Sequence, residues 1–108
     1  MNGKGRKVME KRVVTREHYI QLRDAFRKAA KDDALLDRFL EDLLTPAEYA
    51  ELATRWQIVQ LLANGLTYRD VAHKLHIATE TVSRGARELM DPRGGFSQLL
   101  NHDKDKKF

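Results

Sequence analysis

A chain of 108 residues, 42% of them hydrophobic, has room for one domain and, if built of short helices, for only a thin core that a partner chain often supplements. The absence of cysteine excludes disulfides and thiolate metal sites, and no apolar run approaches the ~18 residues that span a membrane, so the expectation is a soluble, cytoplasmic protein with no membrane partner. Twenty Lys and Arg against 16 Asp and Glu leave a net charge of +4, which favours a polyanionic partner through counterion release.

Residues 1–13 have no helical pattern and contain two glycines. They read as a flexible basic tail in which Lys4, Arg6, Lys7, Lys11 and Arg12 are opposed by Glu10 alone. The stretch is basic but lacks the apolar core of a secretory signal. From Thr15, a candidate N-cap, the pattern becomes helical: Tyr19, Leu22, Phe26 and Ala29 recur at three-to-four spacing and form one stripe. A second helix is expected after Asp32, with Leu36, Phe39, Leu40 and Leu43 on one face.

Thr45-Pro46-Ala47-Glu48 is a capping box with proline at the first helical position. The threonine hydroxyl and the glutamate satisfy each other's backbone amides, and the proline lacks an amide that would go unpaired. The third helix then carries Leu52, Trp56, Val59 and Ala63 and stops at Asn64-Gly65, both tolerant of left-handed backbone. A fourth helix is expected from Thr67 to near Leu75 and a fifth from about Thr79 to Met90. Asp91-Pro92-Arg93-Gly94-Gly95 reads as a turn, and Phe96, Leu99 and Leu100 point to a short sixth helix before a charged tail at 105–108. With no strand pattern, the class is all-α, with a helical core over 14–104.

Two of these helices sit close enough to form a helix-turn-helix over Thr67–Leu89. Ala72 is small where the helices cross, and Val71, Leu75, Ile77 and Val82 anchor them from below. His76 stands at the turn, where glycine is common; histidine tolerates positive φ better than most residues. Thr79, Glu80, Thr81 and Ser83 open the second helix with short or polar side chains suited to base edges and phosphates in the major groove. Arg69, on the first helix, is positioned for a guanine edge or a phosphate. The alternative is two amphipathic helices packed in a bundle.

No serine sits in a nucleophile elbow and no glycine-rich phosphate loop occurs, so neither catalytic residues nor an enzyme are expected. His73 and His76 lack the third and fourth ligands of a metal site, and His18 and His102 have no recognisable partners. Gly85 falls inside a helix at a cost of ~1 kcal/mol relative to alanine. A ligand against the backbone or a close helix crossing would each explain it.

The segments Leu44-Thr45-Pro46, Thr54-Arg55 with Ile58-Val59, Leu75, and Thr81-Val82-Ser83-Arg84-Gly85 resemble the tryptophan operon repressor family over about Leu36 to Leu100. The resemblance implies an intertwined homodimer with six helices per subunit, double-stranded operator DNA as partner, and L-tryptophan as corepressor, with no other cofactor. It assigns Arg55 and Arg84 to the two faces of the indole, where guanidinium planes stack well. It also gives Arg84 and Thr45 to the ligand carboxylate, the Leu44 carbonyl to its ammonium, and Gly85 to the pocket. Glu88 stands where the family has a serine near the ammonium, and Asp42 replaces an apolar residue. Arg69, Thr79, Glu80, Thr81 and Ser83 fall at the family's DNA-contacting positions, while Ala72 replaces a contacting lysine. The resulting expectation is a DNA-binding repressor that depends on tryptophan and controls tryptophan biosynthesis or transport. Two alternatives stand beside it: a regulator of the same fold with another ligand or none, and a helical protein-interaction module.

Overall fold

The computed structural model describes residues 13–89 and 91–106, with side chains described as far as Asn101. The basic tail apart from Val13, Met90 at the expected end of the fifth helix, the side chain of His102 and the last two residues lie outside this range. Six α-helices form among the described residues, with no strand: α1 (Arg16–Ala29), α2 (Asp33–Leu43), α3 (Pro46–Ala63), α4 (Tyr68–Leu75), α5 (Thr79–Leu89) and α6 (Gly95–Lys106). The all-α expectation is met. Among the described residues no helix is long and apolar enough to cross a membrane.

Local chemistry accounts for most of the boundaries. Thr15, Thr45 and Thr67 cap α1, α3 and α4 by accepting the amide three residues on. The box at α3 is reciprocal: Glu48 N donates to Thr45 Oγ1 at 3.1 Å and Thr45 N to Glu48 Oε1 at 2.9 Å. At α1 the partner is a residue expected to have none. The Nδ1 atom of His18 accepts from Thr15 N at 3.2 Å, filling the place usually taken by Glu or Gln. The Asp32 carboxylate accepts the Ala34 amide at 3.0 Å and opens α2.

Two helix ends share one geometry. The Leu66 amide returns to Leu61 O and that of Gly65 to Leu62 O, while Ile77 N returns to Ala72 O and His76 N to His73 O. This paired pattern requires one left-handed residue at each end. Gly65 supplies it after α3 at φ 95°, and His76 after α4 at φ 57°. Asn64, also expected to tolerate that conformation, stays at φ −86°.

The chain divides into two compact units, one ending at Leu43 and the other beginning at Leu44. In the first, α1 packs on α2, and Phe26 meets Phe39 edge-on with ring centroids 5.3 Å apart. In the second, α3 packs against α4, α5 and α6. Its apolar residues run round its circumference, as suits a helix covered on several sides. Ile58 from α3, Val71 and Ala72 from α4 and Val82 from α5 form the core, with Leu61, Leu62, Leu66, Leu75 and Ile77 around them. The four residues expected to anchor the helix-turn-helix are therefore in this cluster or against it. Asp91 holds the turn before α6 by accepting the amides of Arg93 and Gly94, and α6 is longer than the short helix expected. Ser97 Oγ donates to Leu89 O at 2.8 Å, tying α6 to the end of α5.

Candidate ligand cleft and DNA-reading helix

Two helices of the second unit cross at Gly85. A Cβ built on this glycine would lie 2.7 Å from Cγ2 of Ile58, closer than side-chain carbons approach one another. Close helix packing thus explains the glycine, one of the two causes that would account for it. The crossing brings one polar face of α3 beside one of α5, and a cleft of about 580 Å³ opens along them, within the size range of small-ligand pockets.

The cleft is lined from α3 by Glu51, Thr54, Arg55 and Ile58 and from α5 by Thr81, Arg84, Gly85, Arg87 and Glu88, with Phe96 of α6 closing it. Positions 51, 54, 55 and 58 are one helix face, and 81, 84, 85 and 88 repeat the same spacing on the other. Trp56 is half-buried and packs against Phe96, with ring centroids 5.9 Å apart. Three guanidinium groups and two carboxylates share the cleft. Arg55 lies 4.0 Å from Glu51, an exposed i, i+4 pair of small energetic weight. Among the described residues, neither Arg84 nor Arg87 lies within ion-pair distance of a carboxylate, and no ion pair joins Arg84 to Glu88. Thr54 Oγ1 is turned back onto Ala50 O at 2.9 Å.

Of the six residues expected at a ligand, Arg55, Arg84, Gly85 and Glu88 line this cleft, while Leu44 and Thr45 do not. Thr45 precedes Arg55 by ten residues, about 15 Å along the axis of α3. Its hydroxyl already accepts the Glu48 amide. Glu51, Thr54, Ile58, Arg87 and Phe96 line the cleft without having been anticipated. The i, i+3, i+4, i+7 spacing around Arg55 and Arg84 was the available signal for most of them; nothing local marks Phe96, which arrives only through the fold of α6.

The residues expected to meet DNA lie on α4 and α5. Arg69, Thr79 and Glu80 are exposed, and Thr81 and Ser83 are half-buried. Thr81 belongs to both sets, since it also lines the cleft. The helix carrying these residues differs from α1, α3 and α4 at its start. Ala78 precedes it and offers no side-chain acceptor to the amides of its first turn. Its opposite face is held firmly: Val82 and Ala86 are buried, at 0% and 6% exposure.

The family model described as Trp repressor protein matches residues 17–104, which takes in all of α2 to α5 and nearly all of α1 and α6. No solved structure matches the chain.

Proposed function

Because the chain belongs to the Trp repressor family, we propose that it is a transcriptional repressor that binds operator DNA when L-tryptophan occupies its α3–α5 cleft, and that it controls genes of tryptophan biosynthesis or transport. The family makes the chain a DNA-binding regulator rather than an enzyme. The observation that supports the ligand half is convergence: Arg55, Arg84, Gly85 and Glu88, distant in sequence as two groups, line one cleft. In this reading the indole lies between the guanidinium planes of Arg55 and Arg84, where stacking on a cation is favourable. Arg84 takes the ligand carboxylate, and Glu88 faces its ammonium.

Leu44 and Thr45 enter the reading through a second chain. The axial distance within α3 separates them from Arg55 of their own chain, so their part in the pocket requires a homodimer whose subunits each lend the start of α3 to the other's cleft. A dimer also places two copies of α5 for successive major grooves, about 34–36 Å apart. The cleft borders α5 at Thr81, within the first turn of that helix, so an occupant bears directly on the position of the reading helix. Linkage then requires DNA to tighten ligand binding by the factor by which the ligand tightens DNA binding.

The deciding experiment selects DNA fragments from a genomic library with the purified protein, with and without L-tryptophan. Retention of specific fragments in the presence of the amino acid is the expected result. Equal recovery in both conditions, together with no saturable calorimetric signal from L-tryptophan, overturns the corepressor reading.

A further inference from the structure

We infer that Arg87 is a DNA-phosphate contact, extending the reading face of α5 one turn beyond the residues at its start; the inference rests on the chain being a DNA-binding regulator. The phase of the helix favours this. Val82, Gly85 and Ala86 are buried and fix the inward side of α5. Arg87 follows Glu80 by seven residues and so lies about 20° from it around the axis, while Ser83, four residues earlier, flanks the same line. All three therefore stand away from the core, and Arg87 is exposed.

Position along the axis favours it too. Arg87 is two turns, about 10 Å, beyond Glu80. A helix that enters the ~12 Å major groove by its first turn carries its outward residues two turns later to the groove wall, where the phosphates stand. A long cationic side chain at that point meets a polyanion rather than base edges.

Charge points the same way. Arg55 has Glu51 within 4.0 Å, but Arg87 has no carboxylate at ion-pair distance among the described residues, so its charge is available. Two other roles are open to this side chain. It lies in the last turn of α5, where a cation complements the helix dipole, and it lines the ligand cleft. Each role moves a different measurement.

Phosphate neutralisation contributes about −0.9 to the slope of log K against log salt for each phosphate contacted. The test measures fluorescence anisotropy of a labelled mixed-sequence duplex over a salt series, with the wild-type protein, Arg87→Gln and Arg87→Lys. Glutamine keeps a similar helix propensity while removing the charge. The expected result is a slope shallower by about 0.9 per bound chain for Arg87→Gln, with full recovery in Arg87→Lys, because an ammonium serves a phosphate as a point charge. L-tryptophan affinity and melting temperature are followed in parallel. An unchanged slope accompanied by weaker tryptophan binding assigns Arg87 to the cleft and overturns the inference. An unchanged slope with only a lower melting temperature assigns it to the helix dipole and overturns the inference equally. A flat salt response in the wild-type protein removes the DNA-binding reading itself, which separates that failure from the failure of Arg87.

Discussion

From Pro46 to Leu89 the chain buries Ile58, Val59, Val71 and Val82 to 2% exposure or less, whereas α1 and α2 bury Ala29 alone among their described residues. Tyr19 is 65% exposed, Leu22 41% and Leu43 44%, although the stripes they belong to are as regular as those of the second unit. Both regions have the periodicity of amphipathic helices. The second has enough helices to enclose a core, although Leu52, Tyr68 and Leu99 remain exposed; the first has two, and a pair of helices covers one side of each at most. Apolar area left open on that scale calls for another surface. The homodimer proposed for this chain would supply one: an interlocked second copy would cover α1 and α2 while completing the cleft with Leu44 and Thr45.

The contrast is sharpest at Ile58. Truncation to alanine leaves a cavity where α3, α4 and α5 meet, with an expected loss of about 2–5 kcal/mol in denaturant unfolding. A loss below about 1 kcal/mol breaks the claim that the second unit has a core of its own. Gly85→Ala tests the same crossing from the other side. The new methyl gains about 1 kcal/mol of helix propensity but meets Ile58 Cγ2 at 2.7 Å, and overpacking costs about 1–3 kcal/mol. The expected net change is therefore a loss. In the double variant with Ile58→Ala the two losses are expected to add to less than their sum, since the second change removes the atom the first one strikes.

For the first unit the expected effect is smaller within one chain and larger between chains. Phe26→Ala removes the edge-to-face pair with Phe39, about 0.5–1.5 kcal/mol beyond area burial. Its main signature is expected in sedimentation, as a shift toward monomer, and in a melting temperature that falls on dilution. Sedimentation identical to wild type would sever α1 from any interface. The smallest effect is expected at His76, whose φ of 57° strains a non-glycine residue. His76→Gly is expected to raise stability by less than about 1 kcal/mol, the relief being offset by the greater freedom of the unfolded chain.

Apart from α6, which runs on to Lys106, the helix boundaries are legible in the sequence to within a residue or two, because threonine and aspartate caps, Pro46 and Gly65 act locally. His18 was missed as a cap because histidine is seldom the returning side chain, yet its place three residues after Thr15 is the usual one. The expected ligand residues divided along a physical line. Arg55, Arg84, Gly85 and Glu88 sit where one helix crossing joins two faces, while Leu44 and Thr45 are held away by the rise of α3.

What the sequence by itself determined is therefore everything that acts over a few residues: where helices start and stop, which face of each is apolar, and that His76 must turn the chain between α4 and α5. The tertiary structure alone decided which polar faces became neighbours. The 3.6-residue period places Glu51, Thr54 and Ile58 beside Arg55, and Arg87 next to Glu88, but it does not say which helix lies opposite. That choice is made at Gly85, where the missing side chain lets α5 settle against Ile58 and brings both faces, with Phe96, around one cleft.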